Sequence, residues 1–330
     1  MVASPLIDRL NALSGDGRLR EAAELLAGNA DTGNPEALIE LACWRIDGRV
    51  VRRDLAAARA LLGRAGEGGR DDAALLHAYF AAAAVGGPPD WPAAREAVNA
   101  LAARLPSAAR QCELLEKMDL DELGFPAETP RCATLSEAPE IRTSAGFMTS
   151  EECAYLIDRA QPLIAPSTVV DPRTGQVAPH PIRRSDFASF GVFHEDLVVS
   201  ALNRRLAALS GTAPEQGESL QVLRYNPGGE YRSHVDALPA TDNQRIATAL
   251  VYLNGDYDGG ETRFERLGIT FRGQPGDAIV FRNVTADGTA DPMTQHAGLP
   301  VTRGTKFIAS RWIRARRFIF PPPEPALRDF

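Results

Sequence analysis

Lysine is nearly absent from this chain: of 36 lysine and arginine residues, only Lys117 and Lys306 are lysines. Histidine and cysteine are also scarce, with five and four copies in 330 residues. Cys43, Cys112, Cys132 and Cys153 lie far apart and form no C-x-x-C pair. That spacing excludes a zinc knuckle or dithiol couple and suits free thiols in a reducing cytoplasm. No stretch reaches the roughly 18 uninterrupted apolar residues that span a bilayer. The opening MVASPLIDRLNALSGDG lacks the basic region, apolar region and small-residue cleavage site of a secretory signal. A cytoplasmic location without membrane contact is therefore expected. A net charge of -7 argues against a surface that tracks nucleic-acid phosphates, leaving only the small basic cluster Arg311, Arg314, Arg316 and Arg317. The balance of 44% hydrophobic to 24% charged residues is that of a globular chain, long enough for two domains.

Residues 1–115 are rich in alanine, leucine and arginine and poor in β-branched residues, which favours helices. They also repeat. Ala22, Ala23, Leu26, Ala30 and Gly33 recur as Ala57, Ala58, Leu61, Ala65 and Gly68, and Ala37, Asp54, Ala57 and Ala58 recur as Ala73, Asp90, Ala93 and Ala94. A period in the mid-thirties with small residues at crossing points predicts stacked helical hairpins, each burying its apolar face against the next. The stretch from Ala37 to Gly68 resembles a Sel-like repeat of the tetratricopeptide superfamily, with Gly48 and Asp54 in the inter-helix turn. Such a stack serves either as a partner-binding groove or as a structural appendage, and about three hairpins is near the minimum that is stable alone.

The polar, proline-rich stretch 116–139 reads as a linker, and residues 140–330 as a second domain. Thr149 and Glu152 form a capping box ahead of an amphipathic helix, and Val198, Leu202, Leu206 and Leu209 mark another that Gly211 ends. Short β-branched and aromatic segments follow at Leu220 to Tyr225, Ile246 to Leu253, Ile269 to Phe271, Ala278 to Phe281 and Lys306 to Ile313. Helices followed by many short strands predict an α+β unit closed into a sandwich or barrel. The Pro-, Thr- and Gly-rich segment from Pro166 to Pro181 reads as a mobile loop over the site.

Two tripeptides have the form H-x-D, His194-Glu195-Asp196 and His234-Val235-Asp236. The first leads into a helix, where a carboxylate simply complements the helix dipole. The second follows a strand and the turn Asn226-Pro227-Gly228-Gly229. In extended chain, residues i and i+2 point to one side, so imidazole and carboxylate converge. With one further histidine they form the facial triad that binds Fe(II) and leaves positions open. His77, His180 and His296 are the candidates; His77 sits among the repeats, and His296, between a loop and the final strand, is the better choice. Lys306 follows ten residues later, where a compact ammonium can meet the distal carboxylate of a dicarboxylic cosubstrate. Alternation along that strand puts Lys306, Ile308, Ser310 and Trp312 on one face and Phe307, Ala309, Arg311 and Ile313 on the other.

The blocks LQVLRYNPGGEYRSHVD, YLNGDYDGGETRF, PGDAIVF and QHAGLPVTRGTKFIASRW run in order through residues 140 to 316. In these features the chain resembles the prolyl 4-hydroxylase branch of the Fe(II)- and 2-oxoglutarate-dependent oxygenases, whose fold is a double-stranded β-helix, or jelly roll. The resemblance implies that His234, Asp236 and His296 hold iron and carry the catalysis. It implies that Lys306 pairs with the C5 carboxylate of 2-oxoglutarate, helped by the hydroxyls of Tyr225 and Thr262, and that Tyr231, Arg245 and Trp312 line a substrate groove. A histidine sometimes found two residues past that tryptophan is Arg314 here. The implied reaction consumes O2 and 2-oxoglutarate, releases succinate and CO2, and hydroxylates a C–H bond, foremost a prolyl residue in a peptide or protein. A free amino acid or other small molecule as substrate, and a non-catalytic scaffold that retains the barrel, are the alternatives. A nucleic-acid demethylase fits the acidic charge poorly. The sequence leaves the need for ascorbate open.

Overall fold

The computed structural model describes residues 4–170, 177–319, 323–327 and 330. Its first part is a run of helices, each packed on its neighbour in sequence: α1 (Pro5–Gly15), α2 (Leu19–Asp31), α3 (Pro35–Asp47), α4 (Leu55–Glu67), α5 (Asp71–Ala82), α6 (Trp91–Leu101) and α7 (Pro106–Lys117). The repeat seen in the sequence is structural. Asp54 caps α4 by accepting from the Ala57 amide at 2.9 Å, and its counterpart Asp90 caps α6 by accepting from Ala93 at 3.1 Å. Both satisfy a helix-end amide that has no intrahelical partner. Gly48 ends α3 in the left-handed region, at φ 78°. The equivalent position 36 residues on is Ala84, which holds the same geometry at φ 56° although it carries a Cβ.

The second part contains the helices α8 (Ser150–Ala160), whose capping box is formed by Thr149 and Glu152, and α9 (Leu197–Ser210), which stops at Gly211. Its strands in chain order begin with β1 (Ala133–Glu137), β2 (Glu140–Ser144), β3 (Ala165–Pro166), β4 (Thr168–Val170), β5 (Val177–Pro179), β6 (Arg183–Arg184), β7 (Asp186–Phe190), β8 (Leu220–Tyr225) and β9 (Glu230–His234). They continue with β10 (Arg245–Tyr252), β11 (Tyr257–Gly259), β12 (Thr262–Phe264), β13 (Ile269–Phe271), β14 (Ala278–Arg282), β15 (His296–Gly298), β16 (Val301–Gly304) and β17 (Lys306–Arg314). An eight-stranded antiparallel sheet runs β1-β2-β14-β10-β17-β8-β7-β3, and a five-stranded one runs β13-β12-β15-β9-β6. Aromatic and branched side chains such as Tyr252, Phe264, Ile279, Phe281 and Ile308 fill one core around these sheets. This is the double-stranded β-helix preceded by helical repeats.

Two departures from the sequence reading concern loops. Ala133–Glu137 lies within the stretch read as a linker, yet pairs with Glu140–Ser144 at the edge of the large sheet. The flanks of the segment read as a mobile loop form the β4–β5 hairpin, while residues 171–176 at its centre fall outside the described residues.

The two parts are not beads on a string. One core contains Tyr79, Trp91, Val98 and Leu114 from the repeats together with Leu156, Leu197, Leu202 and strand residues Val222 and Ala249. A second core is confined to α1–α5 and its neighbours. Polar ties reinforce the joint: Gln111 accepts from the Leu197 amide at 3.2 Å, and Arg204 donates to the Ala82 carbonyl at 2.5 Å. Among the described residues, no helix is long and apolar enough to cross a membrane.

Candidate active site

Strand register builds the site. His296 on β15 is the direct partner of His234 on β9, and Lys306 on β17 is the partner of Tyr225 on β8. Asp236 lies two residues beyond His234, where β9 ends. His234 Nε2 is 3.5 Å from Asp236 Oδ1, and His296 Nε2 is 3.7 Å from Asp236 Oδ2. One ligand atom from each residue falls within 4.8 Å of the others.

The surroundings fix how these groups present themselves. His234 Nδ1 lies 2.8 Å from the Arg232 carbonyl and His296 Nδ1 lies 3.0 Å from the Thr294 carbonyl. A carbonyl only accepts, so each Nδ1 carries the proton and each Nε2 lone pair faces Asp236, the arrangement that metal-binding histidines use. Asp236 Oδ2 accepts the Thr248 hydroxyl at 2.7 Å, and that hydroxyl in turn accepts Asn283 Nδ2 at 2.9 Å. Burial works to raise the Asp236 pKa, but His234, His296 and Thr248 outweigh it and hold the carboxyl well below its usual range. Burial pushes the His296 imidazole down, toward the neutral form that ligates metal. Three convergent lone pairs, two imidazole and one carboxylate, fit an Fe(II) site with open positions.

Lys306 is 3% exposed, and its Nζ donates to the Gly260 carbonyl at 2.6 Å. It lies 5.5 Å from the ring centre of Tyr225 and 4.9 Å from that of Tyr252. Among the described residues no carboxylate pairs with it, and burial pushes its pKa down to about 7. A buried ammonium with one neutral acceptor is suited to an anion brought in from outside. Lys306, Tyr225, Thr262 and Trp312 line one narrow pocket with the triad, and Leu223, Leu250 and Ile308 supply apolar wall.

The expected residues differ in what their polar atoms do there. Thr262 shares its hydroxyl with Tyr252 at 2.8 Å. Tyr231 stacks on His234 with ring centres 3.6 Å apart and planes 16° from parallel. Arg245 lies outside the pocket wall: Glu218 accepts from its Nε at 2.6 Å, while its guanidinium sits 4.2 Å from the Trp312 ring centre. Of the other histidines, His77 is on α5, and His180 Nδ1 accepts the Arg183 amide at 3.1 Å. The first H-x-D is structural, since buried Asp196 caps α9 through the Val199 amide and accepts the Tyr155 hydroxyl at 2.6 Å. Thr248, Asn283, Glu218 and Arg183 went unnoticed in the sequence. Arg183, buried in β6, lies 5.6 Å from the Tyr231 ring centre. A lone hydroxyl inside the apolar run of β10 was the available signal for Thr248.

This fold and this pocket define an oxygenase dependent on Fe(II) and 2-oxoglutarate, and residues 220–314 match the 2OG-Fe(II) oxygenase superfamily. Over 205 residues the chain is 35% identical to prolyl 4-hydroxylase 1 of Arabidopsis thaliana, an alignment covering 55% of this chain and 71% of the relative. The chain belongs to the prolyl 4-hydroxylase family. It is an oxidoreductase whose cofactors are Fe(II) and 2-oxoglutarate. It is similar to the crystal structure of a viral collagen prolyl hydroxylase from Paramecium Bursaria Chlorella virus-1 in its 2OG complex, with 30% identity, 53% of this chain and 96% of that chain covered, and a TM-score of 0.44. It is also similar to a Sel1 repeat protein from Oxalobacter formigenes, with 26% identity, 31% and 79% covered, and a TM-score of 0.28.

Proposed function

We propose that residues 140–330 form the catalytic unit of a prolyl hydroxylase acting on a peptide or protein, joined through 116–139 to a repeat unit in residues 1–115. The observation that carries this reading is the convergence of His234, Asp236 and His296 with the uncompensated ammonium of Lys306 in one pocket. In it, His234, Asp236 and His296 hold Fe(II), and Lys306 pairs with the distal carboxylate of 2-oxoglutarate beside the hydroxyls of Tyr225 and Thr262. Bound Fe(II) and 2-oxoglutarate supply the oxidising chemistry, in which O2 is consumed, succinate and CO2 are released and a C–H bond is hydroxylated. The protein's share is placement. Thr248 and Asn283 hold the Asp236 carboxylate in one rotamer, and Leu223, Leu250 and Ile308 keep water from the cosubstrate. Tyr231 and Trp312 line the same pocket, and their aromatic surface suits a prolyl ring.

Succinate release from 2-oxoglutarate with Fe(II), measured with and without proline-containing peptides, tests the reading. Peptide-stimulated release is expected, with His234→Ala or Asp236→Ala abolishing it and His194→Ala leaving it intact. Stimulation only by free amino acids would move the substrate to a small molecule, and absence of metal binding would leave a scaffold.

A further inference from the structure

Beside the catalytic pocket, where β10 begins and β17 ends, positive charge exceeds negative. Arg245 and Arg314 are register partners across these two strands, and both converge on Glu218. Oε1 of Glu218 accepts from Arg245 Nε and from Arg314 Nε, each at 2.6 Å, and Oε2 accepts from Arg245 Nη2 at 2.9 Å. Glu218 is itself held in place, because its amide donates to the Trp312 carbonyl at 2.8 Å and its carbonyl accepts Arg311 Nε at 3.1 Å. Arg311, on the other face of β17, has carbonyl acceptors only, those of Glu218, Asn203 and Pro214. Arg316 is balanced separately by Asp242 at 3.6 Å. Even with Arg311 set aside, two guanidiniums share one carboxylate, and one positive charge is left over.

That charge lies next to the chemistry. The Arg245 guanidinium sits 4.2 Å from the ring centre of Trp312, which lines the pocket together with His234 and Asp236. The Arg245 side chain keeps 18% of its surface open, and among the described residues its Nη1 donates to nothing. Trp312 Nε1 is a second unused donor, in a residue that is 6% exposed. Buried donors almost always find a partner, so an N–H left without one beside a pocket suits an acceptor that arrives with a ligand. The planar fork of a guanidinium matches a carboxylate.

We infer that this cluster is a carboxylate-recognising subsite, and that the favoured substrate carries an acidic group close to the residue that is hydroxylated. Arg245 is the contact. Arg314 is a positioning residue: by sharing Oε1 of Glu218 it draws off negative charge that would otherwise neutralise Arg245. The carboxylate is either an aspartate or glutamate side chain in a peptide or the α-carboxylate of a chain end or free amino acid. That the group belongs to a prolyl substrate rests on the hydroxylase reading above.

Three short proline peptides test this. The first has blocked ends and glutamate on both sides of the proline, the second has glutamine in those places, and the third is the glutamine peptide ending in a free carboxylate directly after the proline. Binding is measured by calorimetry on the full chain loaded with 2-oxoglutarate and a redox-inert divalent ion, and turnover by succinate release with Fe(II). The glutamate peptide or the free-carboxylate peptide should bind about tenfold more tightly than the blocked glutamine peptide, and which of them does so identifies the source of the carboxylate. Added salt should shrink that advantage. Arg314→Gln and Arg245→Gln should each reduce it to about twofold or less, while Arg314→Lys keeps most of it. A ratio between peptides is not altered by a loss of folded protein, so it separates recognition from a purely structural role. Equal affinity for all three peptides, binding of none, or a ratio unchanged in both glutamine variants overturns the inference. Acid-selective binding without succinate release would keep the subsite and sink the hydroxylase reading; equal binding and equal turnover of acidic and neutral peptides would do the reverse.

Discussion

Two side chains set the chemistry of the pocket in opposite ways. Lys306 places a buried charge with which no carboxylate among the described residues forms an ion pair, and Thr248 removes freedom from a carboxylate that is already balanced. Removing one partner of a buried ion pair costs ~3–5 kcal/mol. Lys306→Ala is accordingly expected to weaken 2-oxoglutarate binding about a hundredfold or more while metal affinity stays near that of the parent. Calorimetry on the chain loaded with a redox-inert divalent ion measures both. The sign of the pH dependence follows from the depressed pKa of about 7. In the proposed pairing the distal carboxylate needs the ammonium, which is present below that pH, so affinity is expected to be full there and to decline as pH rises through it. Lys306→Arg should flatten the profile; a flat profile for the parent chain would separate Lys306 from the cosubstrate. For Thr248→Val the expected loss is about ten- to a hundredfold in metal affinity, since the outer partner of a ligand carboxylate is gone. A metal titration at fixed pH decides it.

At the scale of elements, the fold was legible wherever an element was long or bounded by its own chemistry. The capping box at Thr149, the cap at Asp196 and Gly211 mark helix ends by residues whose function is local. The alternation of β17 was legible because Lys306 and Trp312 stand near opposite ends of a strand whose other face is Phe307, Ala309 and Ile313. Strand β10 hid its contribution because it is covered on both faces and reads as a continuous apolar run. The small sheet consists of strands of two to five residues, too short for any period to show. Arg245 illustrates a further limit, since its partner Glu218 lies 27 residues away and no local pattern announces that bond. The repeat caps give a direct check on the helical half: Asp54→Ala and Asp90→Ala should each cost about 1 kcal/mol in denaturant unfolding, and a null effect at both would deny that the repeated aspartates act as caps.

For the molecule as a whole, the partition of cores matters more than the partition of sequence. Helices α6 and α7 share their core with α8, α9 and the large sheet, α5 contributes to both cores, and α1–α4 contribute only to the separate one. Hydrogen exchange should therefore release the amides of α1–α4 through a partial opening, with α5–α7 protected to the same free energy as the barrel. Uniform protection across all seven helices would count against it. Lys117 joins the two parts as well, through a 2.6 Å pair with Glu151, but both side chains are about half exposed and such pairs contribute little. Ala84 carries a different message. In the connection between α5 and α6 it adopts a backbone geometry that glycine takes without strain and alanine adopts at a cost. The repeat is conserved within the chain as a set of dihedral angles more faithfully than as letters, so a search for hairpins keyed to the turn glycine would pass over the copy that carries the joint to the catalytic half.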